Sequence, residues 1–180
     1  LDSAGQHQRK YFVGRFQQVT SPVMAKGVED TAFYRYFPLV SCNEVGGEPA
    51  RAAVAMQHFH EENQWRHTQQ PYSLTCTSTH DTKRSEDLRA RINVLSEIPQ
   101  VWRKAVNRWA RFNRRLVREV EGQSAPSRND QYLFYQTLVG VWPIDPPDEV
   151  EHRQLIDRII AYMEKATHEA KMHTSWISPN

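Results

Sequence analysis

The clearest pattern of hydrophobic and polar positions in the chain lies at residues 100–121. Apolar residues recur there at helical spacing on one face, and basic residues fall on the opposite face. The apolar set is Trp102, Val106, Trp109, Leu116 and Val120, and the basic set is Lys104, Arg108, Arg111, Arg115 and Arg118. The pattern predicts one long amphipathic helix, and a basic face of this kind is more often solvated than bound to phosphate.

Five other segments show helical patterns, and several of them begin at residues that suit a helix N-terminus. These predicted helices cover residues 6–18, 49–65, 85–95, 129–139 and 148–172. Two of them have a clear apolar stripe: Leu88, Ile92 and Leu95 in the third, and Leu155, Ile159, Met163, Ala166 and Ala170 in the fifth. Ser85 is expected to cap the third of them, and either Asn129 or Asp130 the fourth. Asp148 with Glu151 is an acidic variant of the capping box. The fourth helix is apolar nearly all round, so we expect it to be the central buried helix of the C-terminal half.

The second predicted helix begins at Pro49, a residue that suits the first helical turn. Its apolar stripe consists of Ala52, Ala53, Met56 and Phe59, and the helix is predicted to reach about Trp65. His58 and His60 lie two residues apart on this helix. They therefore point in different directions and are not expected to share a metal ion.

Two short apolar runs indicate strands. Residues 23–25 follow a predicted helix break at residues 20–22, and residues 74–77 lead into His80 and Asp81. In a parallel barrel, side chains just past the C-terminal end of a strand face the substrate. His80 and Asp81 are therefore candidates for catalytic chemistry, although a His-Asp pair alone is a weak motif.

Charged residues are dense among aromatic residues just after the first predicted strand. They are Lys26, Glu29, Asp30 and Arg35. Because charged groups are usually solvated, a surface loop with internal ion pairs is the simpler interpretation. The alternative is a sugar-binding rim, in which aromatic faces stack on pyranose rings and charged groups hydrogen-bond to hydroxyls.

Composition and charge narrow the class of protein. With 180 residues and a net charge of +2, the chain suits one domain or slightly more, and its charge does not demand a nucleic-acid partner. No apolar run approaches the roughly 20 residues that span a bilayer. No signal peptide opens the chain, so we expect a cytoplasmic location. Cys42 and Cys76 are expected to be reduced thiols. The absence of an initial methionine predicts a piece of a longer protein.

Five long phrases follow one another along the chain. They are FQQVTSPVMAKGVEDTAFYRY (16–36), NEVGGEP (43–49), STHDTKRSEDLRARINVLSEIP (78–99), NDQYLFYQTLVGVWP (129–143) and EAKMHTSWISPN (169–180). In this order they resemble the maltooligosyltrehalose synthase family of the α-amylase superfamily. Phrases of this length rarely coincide by chance. The sequence departs from the family pattern at Val19, Ser21 and Phe37, and none of these positions is a charged residue of the motifs.

The resemblance implies a (β/α)8 barrel with inserted domains, in proteins several times longer than this chain. Residues 1–84 are then expected to be a partial barrel segment around the sixth and seventh strands, the seventh ending at His80 and Asp81. Residues 85–180 are expected to be a helical insertion domain. The predicted fold class is mainly α, with one or two short strands remaining from the barrel.

The resemblance also implies an activity, intramolecular transglucosylation. Family members rearrange the reducing-end α-1,4 linkage of a maltooligosaccharide into an α,α-1,1 linkage, which gives a maltooligosyltrehalose. A retaining enzyme needs a nucleophile and an acid/base about 5 Å apart, and the superfamily adds a third carboxylate after the seventh strand. No cofactor and no metal ion is implied. The implied partners are the maltooligosaccharide substrate and, functionally, a maltooligosyltrehalose-releasing hydrolase, with no nucleic acid and no membrane.

The family roles carry over to five positions of this sequence. Asp81 matches the third carboxylate, a transition-state stabiliser, and His80 matches an imidazole that contacts the same sugar. Lys26 and Glu29 are expected to line the acceptor side. Arg84 is a further substrate-binding candidate, unless it only pairs with an acidic residue of the following helix. The nucleophile and the acid/base belong to the fourth and fifth strands, which are not expected in this chain, so the isolated chain is predicted to be inactive.

Two other functions stay open. One is a stand-alone helical interaction module whose basic helix 100–121 binds an acidic partner, which composition alone favours. The other is a different α-amylase-type enzyme, such as a glucanotransferase, because the consecutive residues His80 and Asp81 fit any enzyme of that type. The MAKGVEDTAFYRY and DTKRSED phrases favour the trehalose-forming branch.

Overall fold

The computed structural model describes residues 3–50 and 53–178, and helices account for most of this part of the chain. The α-helices are α1 Ser3–Val23, α2 Met56–Gln69, α3 Glu86–Asn93, α4 Pro99–Phe112, α5 Arg128–Val141 and α6 Glu149–Ala170, and the strands are β1 Arg118–Val120 and β2 Gln123–Ala125. The described residues form two compact units, one within Leu1–Tyr36 and Asp148–Asn180 and one within Phe37–Pro147. The mainly helical fold class is confirmed.

In the first unit, α1 is longer than its sequence pattern predicts. The helix passes through Pro22 to Val23 and continues directly into a π-helical turn, Met24–Glu29. The predicted break at residues 20–22 and the predicted strand at residues 23–25 are therefore wrong. An apolar run of three residues has no periodicity that separates strand from helix, so the local sequence could not decide between them.

Helix α6 packs on the 3-10 turn Ala32–Tyr34 in the first unit. Its predicted acidic capping box is confirmed, because Asp148 Oδ1 accepts the Val150 and Glu151 N–H groups at 2.8 Å each. The predicted apolar stripe is also confirmed, with Leu155, Ala166 and Ala170 buried. The helix ends at Ala170, two residues before the predicted end. Arg35 donates to the Ala170 carbonyl, which has no partner within the helix.

In the second unit, α5 is the central helix, as predicted. Its buried residues are Leu133, Tyr135, Gln136, Thr137 and Gly140. It packs on α3, whose predicted stripe is confirmed because Ile92 and Leu95 are buried and Leu88 is half-buried. The N-cap of α5 is Ser127, whereas Asn129 or Asp130 was expected. Asp130 instead lies at the third helical position and closes a capping box with Ser127.

The predicted helix at residues 100–121 is shorter than expected. Helix α4 ends at Phe112, a 3-10 turn covers Asn113–Leu116, and a hairpin follows in which Arg118 pairs with Ala125 and Val120 with Gln123. Glu121 and Gly122 join the strands with φ angles of 52° and 78°. Both angles are positive, as in the two-residue turns that match strand twist. This hairpin, which the helical pattern concealed, is the only sheet within the described residues.

Two further predictions in the second unit are wrong. Residues 74–77 form no strand, and Leu74 is 99% exposed. Helix α2 begins at Met56 and not near Pro49, and all fourteen of its residues are exposed, so the predicted apolar stripe is not buried here. Ala52, which was assigned to that stripe, lies outside the described residues. An apolar pattern shows which face can be buried and does not supply the surface that buries it.

The predicted boundary at residue 84, between a barrel segment and a helical insertion, stays a prediction. The two units observed here are defined by their internal compactness and not by membership of a barrel. Among the described residues, no helix combines the length and the apolar character that crossing a bilayer requires.

We predict that Gly140→Ala destabilises the chain. A Cβ atom at residue 140 would lie 2.8 Å from both Cγ and Cδ2 of Leu88 and 3.2 Å from Cδ1 of Ile92. Overpacking of a core costs about 1–3 kcal/mol, and the better helix propensity of alanine offsets only about 1 kcal/mol. We therefore expect the free energy of unfolding, measured by urea denaturation, to fall by about 1 kcal/mol.

Gly14→Ala is the matched control, since Gly14 lies in α1 and a Cβ atom added there would meet nothing within 4 Å. The free energy of unfolding of Gly14→Ala should rise by up to about 1 kcal/mol, from helix propensity alone. If Gly140→Ala stabilised the chain as much as the control, the close packing of α3 on α5 would be disproved.

Candidate functional site

His80 and Asp81 lie in a tight turn formed by residues 79–82. The Thr82 N–H donates to the Thr79 carbonyl at 3.3 Å, and Thr82 Oγ1 donates to the same carbonyl at 2.7 Å. The Asp81 N–H donates to Thr79 Oγ1 at 3.2 Å. These bonds define the shape of the turn. They do not fix its position relative to the rest of the unit, because all of them lie within the turn.

The two candidate side chains lie side by side and open to solvent. His80 Nε2 is 3.5 Å from Asp81 Oδ2, and the side chains are 92% and 74% exposed. The structure therefore brings together the two residues that the sequence singled out. A carboxylate with this exposure can accept hydrogen bonds from a polyhydroxyl ligand without displacing any protein group.

On its N-terminal side, the loop that carries His80 and Asp81 is held by helix α3. Arg89 donates a hydrogen bond to the Thr77 carbonyl. The pKa of the Glu86 carboxyl is lowered from its ordinary value of 4.5, chiefly because the Thr77 and Ser78 side chains hydrogen-bond to it, and further because Arg89 is nearby. Hydrogen bonds to a carboxylate favour its charged form. Glu86 and Arg89 thus hold the start of the loop from one helix.

On its C-terminal side, the loop is held by Glu44. The Glu44 carboxylate accepts the backbone N–H groups of Lys83 at 2.7 Å and Arg84 at 3.1 Å. It also lies 3.3 Å from the Arg89 guanidinium. Sequence reasoning missed this residue. It lies in the NEVGGEP phrase, where a carboxylate in a glycine-containing loop was the only available indication.

The structure places Arg84 in the interior of its unit. The side chain is buried, and one guanidinium nitrogen lies 3.4 Å from the Val40 carbonyl, to which it donates. This contact ties the end of the loop to the 3-10 turn Val40–Cys42. The predicted role of Arg84 in substrate binding stays a prediction.

Lys26 and Glu29 lie in the other unit, on the π-helical turn Met24–Glu29. Lys26 Nζ is 2.6 Å from Asp30 Oδ2, and the two side chains are 77% and 25% exposed. This ion pair agrees with the simpler interpretation of the charged cluster as a surface segment with internal pairs. The predicted role of Lys26 and Glu29 on the acceptor side of the substrate site stays a prediction.

Two further sequence questions concern metal binding and the basic face of residues 100–121. Within residues 3–50 and 53–178, no group of three or more His, Cys, Asp or Glu side chains could hold a metal ion. Lys104, Arg108 and Arg111 are exposed on α4, while Arg115 and Arg118 are exposed beyond its end. The basic residues are therefore exposed but are divided between α4, the 3-10 turn Asn113–Leu116 and the hairpin.

We predict that acid loosens the start of the loop through Glu86. A carboxyl whose pKa is lowered in the folded state stabilises that state above its ordinary pKa, and the contribution is lost as the pH falls through the lowered value. As the pH falls below 4.5, we expect the amide shifts of Thr77 and Ser78 to move towards their values in Glu86→Gln.

The Glu86→Gln chain itself should show no such transition, whereas Asp87→Asn, a change at the next exposed residue of α3, should retain it. NMR titration of the amide groups makes the measurement. Identical titration curves for Thr77 and Ser78 in the parent chain and in Glu86→Gln would contradict the prediction.

No protein-family model matches the chain. Two relatives from Mycobacterium tuberculosis, strains CDC 1551 and H37Rv, each described as "Putative maltooligosyl trehalose synthase", are 43% identical over 166 residues, which is 92% of this chain and 20% of the relative. The solved structure of maltooligosyltrehalose synthase from Arthrobacter ramosus is similar at 39% identity and a TM-score of 0.76, over 92% of this chain and 19% of that one.

The solved structure of a hypothetical maltooligosyl trehalose synthase from Sulfolobus tokodaii gives 38% identity and a TM-score of 0.75, over 92% of this chain and 21% of that one. The chain thus spans about one fifth of the length of its relatives. Sequence and structure agree over nearly the whole chain, and this level of identity shows more than a shared fold. Over 92% of its length the chain is similar to maltooligosyltrehalose synthases, and the matched part corresponds to about one fifth of such an enzyme.

Proposed function

We propose that this chain supplies the transition-state-stabilising carboxylate, Asp81, of an intramolecular transglucosylase. The reaction converts the reducing-end α-1,4 linkage of a maltooligosaccharide into an α,α-1,1 linkage. The observation that carries the proposal is the open pair of His80 and Asp81, 3.5 Å apart, on a loop held at both ends. The 43% identity to maltooligosyl trehalose synthases supports the choice of reaction and substrate.

The chemistry requires an acceptor such as Asp81. Retaining enzymes pass through an oxocarbenium-like transition state, in which the sugar ring flattens and its hydrogen bonds strengthen. A carboxylate that accepts bonds from ring hydroxyls stabilises this state more than the relaxed sugar, so it raises kcat. His80 offers an N–H donor to the same sugar. The nucleophile and the acid/base are assigned to parts of the enzyme outside this chain.

The other predicted site residues have supporting roles in the proposal. Lys26 and Glu29 line the acceptor side, where their charges hydrogen-bond to hydroxyls of the sugar that is re-attached. Arg84 supports the loop from the interior of the unit, because its buried side chain donates to the Val40 carbonyl. A hydrolase that releases trehalose from the product is the functional partner. We place the protein in the cytoplasm, because Cys42 and Cys76 are both free thiols.

We predict that Asp81→Asn removes most of the activity of a full-length synthase. The test protein, called the chimera below, is the Mycobacterium tuberculosis relative with its aligned segment replaced by the 166 residues of this chain that align with it. Loss of one group that stabilises transition-state charge costs about 10²–10³ in kcat. We expect a loss of at least about 10²-fold in conversion of maltopentaose, with a smaller change in KM.

Asp145→Asn is the matched control, since Asp145 is an exposed aspartate of the same unit. It should leave kcat unchanged. A chimera that is folded but inactive, or one in which Asp81→Asn is as active as Asp145→Asn, would refute the proposed function.

We also predict that the chain alone does not convert maltopentaose. One of the three carboxylates that the reaction needs is assigned to it, so no covalent glycosyl intermediate can form. The check is product analysis by chromatography after long incubation at high protein concentration, with the chimera as positive control. Conversion by the purified chain would show that it contains its own nucleophile and acid/base.

A further inference from the structure

We propose that Glu44, together with Arg89, is the positioning pair that sets the orientation of Asp81 before the sugar binds. The proposal rests on the proposed function of Asp81 and adds residues that touch neither the substrate nor the Asp81 side chain. Glu44 acts through the backbone of Lys83 and Arg84. Arg89 acts through both Glu44 and Thr77.

The Glu44 carboxylate is itself fixed by its contacts. One oxygen, Oε1, accepts the N–H groups of Lys83 at 2.7 Å and Val45 at 2.9 Å. The other, Oε2, accepts the Arg84 N–H at 3.1 Å and lies 3.3 Å from a guanidinium nitrogen of Arg89. A carboxylate has about four acceptor sites, and here four donors occupy them. The side chain is only 15% exposed, so water competes weakly for these sites.

Arg89 joins the two ends of the loop. One of its terminal nitrogens donates to the Thr77 carbonyl, and the other faces Glu44. The carboxylate in turn holds Lys83 and Arg84. A single guanidinium–carboxylate pair therefore closes the loop around His80 and Asp81. Bonds of this kind, between a charged side chain and backbone groups, are stronger than neutral ones.

In the described part of the chain, the contacts of Glu44 and Arg89 tie the turn that carries Asp81 to the rest of its unit. The segment before the loop has no regular structure, and the bonds of the turn connect only residues 79–82 with one another. Lys83, two residues from Asp81, is anchored by Glu44. If this anchor is lost, the turn can keep its shape and still shift as a body. A displacement of about 1 Å at a catalytic group can cost about 10²-fold in rate.

The test uses Glu44→Gln, in which an amide nitrogen replaces one acceptor oxygen, with Glu44→Asp, Arg89→Lys and Glu48→Gln alongside. Glu48 is an exposed glutamate of the same segment and serves as control. In the chimera we expect Glu44→Gln to lower kcat by about 10-fold or more while KM changes less than about threefold. Arg89→Lys should do the same, and Glu44→Asp should recover part of the loss.

Amide hydrogen exchange in the 180-residue chain is the second, independent readout. Glu44→Gln should speed exchange at Lys83 and Arg84. The Val40 N–H, which is bonded to Gln136 Oε1 at 2.8 Å, should keep its protection. A merely structural role would release Val40 as well. Equal acceleration at Val40, or no acceleration at Lys83 and Arg84, would overturn the proposal.

The two proposals fail in different ways. If Asp81→Asn inactivates the chimera but both Glu44→Gln and Arg89→Lys match Glu48→Gln in kcat, the positioning role is wrong and the function of Asp81 stands. If Asp81→Asn has no effect, the proposed function is wrong whatever the Glu44 variants do. If Glu44→Gln does not fold, Arg89→Lys replaces it in both measurements, kcat in the chimera and amide exchange in the chain.

Discussion

The candidate site depends on the two hydrogen bonds that the buried side-chain amide of Gln136 makes to the backbone. This side chain is fully buried; its Oε1 accepts the Val40 N–H at 2.8 Å, and its Nε2 donates to the Phe37 carbonyl at 3.4 Å. Phe37 and Val40 belong to a segment with little regular structure. Buried backbone groups in such a segment need partners from elsewhere, because no helix or sheet supplies them. Gln136 supplies two such partners from the middle of α5.

A series of hydrogen bonds runs from this anchor to the candidate site. The Val40 carbonyl accepts from Arg84, and Glu44, four residues beyond Val40, accepts from the backbone of Lys83 and Arg84. The exposed pair of His80 and Asp81 is thus supported by residues that are mostly buried. This arrangement suits a binding site on a loop, because the groups that contact a ligand stay accessible while the groups that hold them do not.

The sequence predicted those elements whose causes are local. The capping box of Asp148 and the apolar stripe of α6 depend on residues three or four positions apart, as does the stripe of α3. The two predicted strands and the far end of the helix at residues 100–121 were wrong, because their outcome depends on partners distant in sequence or on a two-residue turn. Glu121 and Gly122 redirect the chain into a hairpin although the hydrophobic period continues to Val120. The same limit applies to α2, whose apolar residues have no burying surface within the described part of the chain.

The sequence by itself indicated the similarity to maltooligosyltrehalose synthases, the helical class and the choice of His80 and Asp81 as candidates. Those conclusions rest on long phrases and on local periodicity, which are properties of neighbouring residues. The tertiary structure alone decided what holds that pair in place, because Glu44 and Lys83 are 39 positions apart and meet only when the chain folds. It also decided that Arg84 faces the interior, where it donates to the Val40 carbonyl. Hydrogen bonds between distant segments leave no periodic trace in a sequence, so only the folded chain could reveal them.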